Sequence, residues 1–176
     1  MCAEVGFERV AAEPLAARLG VTKGSFYWHF SNREALLVAL LDAWEGHTSS
    51  VIEHLEALRA TPGTDRLGRL VRSSFEHTLT DPIEWAILAA AMHPLVAPVV
   101  VRVHEARIGY LTELFTDAGL PRPRASVRAR VLYAAYLGHQ MLLAHGRSLG
   151  GEPLGSPGGP TPERYLDELT ALATAP

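Results

Sequence analysis

Three side chains that can donate hydrogen bonds to phosphate lie in one short run near the N-terminus. Lys23 supplies an ammonium group, Tyr27 a phenol O–H and His29 an imidazole N–H, and each of these groups donates toward anionic oxygen. Gly24 and Ser25, which lie between them, are small enough to approach base edges in the major groove of DNA. These residue types at this spacing indicate a surface that binds double-stranded DNA.

Two short helices joined by a glycine turn would position these side chains. Apolar residues between Leu15 and Leu19 recur at spacings of three and four, which predicts a helix with one buried stripe. Gly20 supplies the positive φ that favours a helix end. The hydroxyl of Thr22 can then cap a second helix that begins near Lys23.

Aromatic residues in the second helix favour its attachment to the rest of the protein. Phe26 and Phe30 lie four residues apart, so both can face the body of the domain while the polar side chains face outward. Ser31 and Glu34 then match a capping box, which predicts that a longer third helix begins there. The segment is therefore predicted to be a helix-turn-helix.

The run Gly-Val-Thr-Lys-Gly-Ser-Phe-Tyr-Trp-His-Phe, from Gly20 to Phe30, closely resembles the DNA-binding domain of the tetracycline-repressor family of bacterial transcriptional regulators. The aromatic block and the capping box make this resemblance more specific than a helix-turn-helix alone. The resemblance implies that the helix matching Thr22 to Trp28 enters the major groove. The DNA-binding residues that it implies are Thr22, Lys23, Gly24, Ser25, Tyr27, Trp28, His29 and Arg33.

The N-terminus departs from the pattern of this family. Only Met1 to Val5 precede the segment that matches at Gly6 to Val10, whereas family members carry a basic arm and a complete first helix there. We expect most of that helix to be missing, which would expose apolar surface and remove phosphate contacts. An initiator assigned too far downstream, or a shortened chain, would explain the departure. The alternative is a natural variant with impaired DNA binding.

The composition of the 176-residue chain fits a globular protein that is larger than a lone DNA-binding module. Hydrophobic residues make up 48% of it, enough for a substantial core. Cys2 is the single cysteine, which excludes an intrachain disulfide. No stretch approaches the roughly 20 apolar residues of a membrane span, and no signal-peptide pattern opens the chain. We therefore expect a cytoplasmic protein that does not enter the membrane.

The net positive charge is low for a nucleic-acid-binding protein. The formal net charge of the chain is −3, and within residues 1–33 four basic residues stand against three acidic ones, a net charge of +1. A single head with so few cations binds DNA weakly, because affinity depends on how many phosphates are neutralised. Dimerisation would double the number of contacts.

Apolar spacings of three and four dominate after Arg33, so the rest of the chain is predicted to be almost entirely helical. The predicted fold class is all-α. A helix-turn-helix domain over residues 1–44 precedes a helical-bundle domain for ligand binding and dimerisation over residues 45–176. Helices are expected over about 31–59, 64–79, 82–92, 99–118, 124–146 and 161–173. Gly46 is expected to bend or split the first of these helices.

Small and apolar side chains line one face of the helix predicted over about 124–146, which allows another helix to approach closely. In the resembled family, two subunits join at this place as a four-helix bundle, so a homodimer is expected. Packing within the chain's own core is the alternative. The candidate interface residues are Val127, Val131, Ala134, Ala135, Gly138 and Leu142.

The resemblance also implies an effector pocket whose ligand changes the separation of the two DNA-binding heads. A mostly apolar lining with a few polar groups suits a small, largely apolar effector. For each candidate, plain core packing is the alternative. The candidate pocket residues are Trp85, Met92, His93, Tyr110, Tyr136, His139 and Gln140.

Spacing argues against a metal site or an active site. His47 and His54 lie seven residues apart, and His139 and His145 six apart, whereas zinc sites on helices favour histidines at i and i+4. The sequence contains no nucleophile elbow, phosphate-binding glycine loop or dinucleotide fingerprint. We expect no metal, no cofactor and no enzymatic activity.

Two functions fit this sequence. The first is a ligand-responsive, homodimeric transcriptional regulator, most often a repressor in the resembled family, that binds a palindromic DNA operator. The second is a helical dimeric protein that binds a small molecule or a partner and whose DNA-binding head is impaired.

Overall fold

The computed structural model describes residues 6–57, 63–78, 83–144 and 161–174. Every regular element in these ranges is a helix, which confirms the predicted all-α fold class. A single 3-10 turn over Phe7–Arg9 precedes the α-helices of these ranges. They are α1 (Ala12–Leu19), α2 (Lys23–His29), α3 (Arg33–Glu56), α4 (Gly63–Thr78), α5 (Ile83–Leu88), α6 (Ala97–Asp117), α7 (Arg122–Ala144) and α8 (Pro162–Thr174).

The described residues form two compact units. The first takes in those of Met1–Ser49 and Pro82–Val103, and the second those of Ser50–Asp81 and His104–Pro176. The long helices α3 and α6 therefore contribute residues to both units. The predicted domain boundary between residues 44 and 45 stays a prediction.

An apolar core holds the short N-terminal helices in the first unit. Helices as short as α1 and α2 are marginal in water, so packing has to supply most of their stability. Burying one large apolar side chain contributes about 1.5–3 kcal/mol. The most deeply buried members of this core are Phe7, Leu37, Leu41, Ile87, Val96 and Val103.

The turn between α1 and α2 has the predicted local structure. Gly20 adopts a left-handed conformation with φ 67°, and the N–H of Val21 donates to the carbonyl of Ala16 at 3.0 Å, as in a Schellman motif. The hydroxyl of Thr22 accepts a hydrogen bond from the backbone N–H of Ser25 at 3.0 Å. Both the glycine turn and the cap of α2 are therefore confirmed.

The cap of α3 differs from the prediction. The helix begins at Arg33, and the side-chain oxygen of Asn32 accepts a hydrogen bond from the N–H of Ala35 at 2.8 Å. The predicted start at Ser31 is therefore wrong. Asparagine caps a helix as well as serine does, so two neighbouring caps compete and the packing of the first turn decides between them. Gly46 does not interrupt α3, which is continuous to Glu56.

The helix predicted over about 82–92 is shorter than expected. It ends at Leu88 and continues as turns, in which the N–H groups of Ala90 and Ala91 donate to carbonyls three residues earlier. Proline disfavours the α conformation at the residue before it, so Pro94 restricts His93 but does not account for the end at Leu88. The apolar composition of this segment is therefore compatible with a turn.

The second unit combines α4, α7 and α8 with parts of α3 and α6. Arg72 of α4 donates to the carboxylate of Asp167 of α8 at 2.8 Å, and Thr170 of α8 lies beside Gly68 of α4. Thr161 caps α8 through the N–H of Arg164. The core side chains of this unit are Leu55, Leu67, Val71, Tyr110, Leu111, Leu114, Phe115, Ala125, Ala129, Tyr133 and Tyr136.

Candidate functional site

Helix α2 separates polar from apolar side chains as predicted. Phe26 is buried, with 4% of its surface exposed, and its ring lies 5.3 Å from that of the half-buried Phe30. Lys23 is 63% exposed at its side chain and Tyr27 is 43% exposed. One side of the helix is thus attached to the core while the other faces solvent.

The remaining predicted contact residues of α2 also lie on its outer side. Gly24, Ser25 and His29 are exposed, and Trp28 is 82% exposed. The rings of Trp28 and His29 meet edge to face, with centroids 4.7 Å apart. A surface of this kind offers hydrogen-bond donors and an aromatic ring to a large external partner. Contact with DNA stays a prediction for each of these residues.

Lys23, the lysine of this face, forms an ion pair. Its ammonium group donates a hydrogen bond to the carboxylate of Glu13 on α1. The hydrogen bond to Lys23 holds the pKa of Glu13 below its usual value, and the same bond raises the pKa of Lys23. Both groups are in water, where such a pair contributes little to stability. Glu13 was not predicted as a partner, because the ten residues between the two positions follow no regular helical spacing.

Arg33 has a structural contact that the sequence did not reveal. Its Nε donates to the backbone carbonyl of Val10 at 2.7 Å, which ties the start of α3 to the segment before α1. The hydroxyl of Thr22 caps α2, as described above. Both residues therefore support the geometry of α2, and their predicted contacts with DNA would be additional.

Comparisons with known proteins agree with this geometry. Residues 1–40 match the family described as bacterial regulatory proteins, tetR family. The tetracycline repressor protein class A from transposon 1721 of Escherichia coli is 50% identical over 50 residues, which cover 27% of this chain and 23% of the repressor. The class G tetracycline repressor of Vibrio anguillarum is 45% identical over 58 residues, which cover 32% and 28%.

Residues 1–40 are therefore similar to the N-terminal region of the TetR family. The matched region spans only about a quarter of the length of these two repressors. A solved structure of a Clostridium perfringens protein, named as a proposed regulator of fatty acid metabolism, matches 98% of this chain and 91% of its own, with a TM-score of 0.74 and 14% identity. At that identity the likeness shows a shared fold alone.

The residues predicted to line an effector pocket fall into both units. Trp85, Met92 and His93 belong to the first unit. Met92 is 95% exposed, so it lines no enclosed space in the described part of the chain. The ring of His93 contacts that of Phe7 edge to face at 5.5 Å, and its Nδ1 accepts from the N–H of Leu95 at 3.2 Å.

The other predicted pocket residues come together in the second unit. Tyr136, His139 and Gln140 are all buried on α7, and the amide of Gln140 donates to the hydroxyl of Tyr136 at 2.7 Å. The ring of His139 stacks on that of Tyr165, with centroids 5.0 Å apart. Burial lowers the pKa of His139, so its neutral form is favoured. Ligand contact stays a prediction for this group and for Tyr110.

Sequence reasoning missed several members of this aromatic group. Tyr165 comes from α8, and the guanidinium of Arg107 lies over the ring of Tyr136 at 5.9 Å. Tyr133 contacts both Tyr136 and His104. Spacing along one helix cannot reveal partners from other helices, although the tyrosines at 133 and 136 are one turn apart and signal a shared face.

The candidate dimer residues lie on one exposed stripe of α7. Val127 is 62% exposed and Val131 66% exposed, while Ala134, Ala135 and Gly138 are also exposed. The side chain of Leu142 lies outside the described residues. Val127 and Val131 lie four residues apart, so their exposed side chains share one face of α7. Association of two subunits through this stripe stays a prediction.

A cleft of about 360 Å³ lies between α3 and α4 in the second unit. None of its lining residues is among the predicted pocket residues. The lining side chains are Ser50, Val51, His54, Leu55 and Ser73.

The described ranges contain no group of three or more histidine, cysteine, aspartate or glutamate side chains able to hold a metal ion. None of their helices combines the length and the apolar character that a membrane crossing requires.

Proposed function

We propose that this chain is a DNA-binding transcriptional repressor that acts as a homodimer in the cytoplasm, responds to a small effector and catalyses no reaction. The observation that carries the proposal is the outer face of α2, where Lys23, Ser25 and Tyr27 are exposed while Phe26 is buried. The match of residues 1–40 to the TetR family supports the same conclusion.

The proposed DNA contacts divide into two kinds. Lys23, Tyr27 and His29 donate to phosphate oxygens and set the position of α2 on the duplex. Ser25 and Gly24 approach the base edges in the major groove, where hydrogen bonds distinguish the four base pairs. Two heads related by a two-fold axis would place their recognition helices about 34–36 Å apart, which matches a palindromic operator.

Binding of the full chain to DNA from upstream of its own gene tests this proposal. We expect fluorescence anisotropy to show tighter binding to that duplex than to a shuffled duplex of equal length. Ser25→Ala should reduce this preference with little change in affinity for the shuffled duplex, because a base contact carries sequence information. Equal binding of both duplexes by the original chain would contradict the proposal.

The exposed stripe of α7 supports the homodimer. A carboxylate placed in an apolar interface loses its hydration, so Val131→Glu is expected to separate the subunits. Val101→Glu is a matched control, because Val101 is also exposed (54%) but lies on α6, outside the stripe. Sedimentation should show monomers for the first variant and dimers for the second. A dimeric Val131→Glu variant would contradict the proposed interface.

The proposed response to an effector follows from two states of the dimer with different head separation. A ligand that binds one state better shifts the population by its difference in affinity. The buried polar side chains of the second unit, Tyr136, His139 and Gln140, support such a site. So does the fold likeness to the Clostridium perfringens protein named as a proposed regulator of fatty acid metabolism.

One observation favours the second candidate function, a dimeric ligand-binding or interaction protein with an impaired head. Glu13 pairs with Lys23, the cation best placed for phosphate. If the pair outlasts contact with DNA, Lys23 does not neutralise a phosphate and affinity falls. The anisotropy experiment distinguishes the two functions, since the second predicts no specific binding to any duplex.

A further inference from the structure

Arg66 is a buried cation whose hydrogen-bonding capacity is largely unused. It lies in the first turns of α4, with only 3% of its surface exposed. Its Nη2 donates to the carboxylate of Asp117 on α6. In the described structure, its Nε and Nη1 are buried and have no hydrogen-bond partner. Buried donors of this kind are rare in folded proteins, because an unmet hydrogen bond costs about 1–3 kcal/mol.

Tyr110 presents a second unmet group in the same unit. Its hydroxyl is buried and also has no hydrogen-bond partner in the described part of the chain. Burial raises the pKa of Tyr110, and the nearby charge of Glu56 raises it further, whereas Arg66 acts in the opposite direction. The phenol is therefore neutral and able to donate. Arg66 is close enough to influence that hydroxyl, although no hydrogen bond of normal geometry joins the two groups.

The charges around these donors select the kind of partner. Asp117 already balances the charge of Arg66, and Glu56 lies half-buried nearby. A further anion would add a negative charge beside the carboxylates of Asp117 and Glu56, whereas an uncharged oxygen would not.

We propose that Arg66 and Tyr110 form a binding point for the carbonyl oxygen of an uncharged, largely apolar effector, such as a ketone, ester or amide. The proposal rests on the effector response proposed above and names the chemical class of the ligand. The walls of this region are apolar, since Tyr110 belongs to the same core cluster as Leu67 and Leu114.

The cleft described above lies further along the same helix, and neither Arg66 nor Tyr110 is among its lining residues. Ser73, which lines the cleft of about 360 Å³, is seven residues from Arg66. Seven residues are two helical turns, so both residues lie on one side of α4, about 10 Å apart along its axis. Val51 and Leu55 supply an apolar wall to the cleft, whose volume is within the range of small-molecule sites.

Calorimetric titration of the full chain, without DNA, tests the proposal with three eight-carbon probes of different charge. The probes are 2-octanone, octanoate and octylammonium. We expect 2-octanone to bind at least about tenfold more tightly than either ion. Arg66→Met should weaken 2-octanone binding about tenfold or more, because a hydrogen bond from a charged group is lost. Tyr110→Phe, which keeps the ring, should weaken it less.

Matched variants separate loss of a contact from loss of the fold. Arg72→Met removes a guanidinium from the same helix at an exposed position paired with Asp167, and it should bind 2-octanone like the original chain. Should Arg66→Met fail to fold by circular dichroism, Tyr110→Phe carries the test alone. Octanoate binding as tightly as 2-octanone, binding unaffected by either substitution, or no binding of 2-octanone would each overturn the proposal.

The titration is independent of the proposed repressor function. If 2-octanone binds through Arg66 but leaves the complex with DNA intact, the site stands and the effector response fails. If the chain never binds DNA, the titration still tests whether 2-octanone binds through Arg66 and Tyr110.

Discussion

The outer face of α2 and the buried polar group of the second unit hold their functional side chains in opposite ways. On α2, Lys23, Ser25 and Tyr27 are exposed; the N–H of Ser25 donates to Thr22, and Lys23 pairs with an exposed carboxylate in water. In the second unit, Arg66 and His139 are only 3% and 4% exposed, and their neighbours come from other helices.

This difference corresponds to two kinds of partner. A surface that meets a polyanion can keep its charges hydrated until contact, so each charge costs little to maintain and is screened by salt. A group that meets a small apolar ligand has to be dehydrated beforehand, which makes its protonation and its partners far more constrained. The predictions below test this contrast from the largest expected effect to the smallest.

Removing the anchor of α2 should have the largest effect. Phe26→Ala deletes a buried aromatic ring, and such deletions cost about 3–5 kcal/mol of unfolding free energy. Chemical denaturation of the variant should show this loss, and DNA binding should fall for every sequence. Trp28→Ala is the control from the same helix, because Trp28 is 82% exposed and exposed substitutions usually change stability by about 0.5 kcal/mol or less. Equal losses of unfolding free energy in the two variants would show that α2 is not anchored as described.

The burial of His139 should make the second unit sensitive to acid. Burial holds the pKa of His139 below its ordinary value of 6.5. As the pH falls through that value, the unfolded chain gains the proton first, so the free energy of unfolding decreases. Above it, both states are neutral at this position and the effect vanishes. We expect His139→Gln to reduce the decline of the melting temperature between about pH 7.5 and 5.

The control for acid sensitivity is His54→Gln, since His54 is exposed and its imidazole stays in water on folding. That variant should keep the decline of the original chain. An undiminished decline in His139→Gln would show that burial of this imidazole does not cause the acid sensitivity.

The smallest effect is expected at the ion pair of the DNA-binding head. Glu13→Gln frees Lys23 for phosphate and should raise affinity for any duplex by a few-fold at most, in keeping with the small energy of exposed pairs. It should also lower the pKa of Lys23. This is measurable by NMR after reductive methylation with a ¹³C label, since Lys23 is the single lysine of the chain. Glu53→Gln, at another exposed glutamate, should change neither quantity; unchanged affinity in Glu13→Gln would show that the pair does not compete with DNA.

The two regions also differ in how far the sequence predicts them. Local rules were sufficient for the turn and the cap of the head, because Gly20 ends α1 and Thr22 caps α2. They did not reveal the contacts of Lys23 with Glu13 and of Arg33 with Val10. The cap at Asn32 was missed because Ser31 beside it is an equally good cap. The early end of α5 at Leu88 shows that apolar composition alone does not extend a helix.

The interior group could be predicted only in part. Their polar groups in an otherwise apolar segment brought Tyr136, His139 and Gln140 to attention. The sequence alone could not bring in Tyr165 or Arg66, which lie on α8 and α4 and meet their neighbours only in the folded chain. Arginine is seldom fully buried, so a charged residue near the start of a helix is ordinarily assigned to the surface. Long-range packing therefore determines the contacts of the interior, whereas local geometry determines the turn and the helix cap of the head.

The salt dependence of DNA binding tests most directly whether the outer face of α2 contacts a duplex. The logarithm of the binding constant should fall linearly with the logarithm of salt concentration, and Lys23→Ala should make the slope shallower by about 0.9 for each Lys23 in contact with phosphate. Arg122→Ala removes an equal charge from an exposed side chain of α7 and should leave the slope unchanged. If Lys23→Ala instead keeps the original slope, α2 does not lie on the phosphate backbone and the account is wrong.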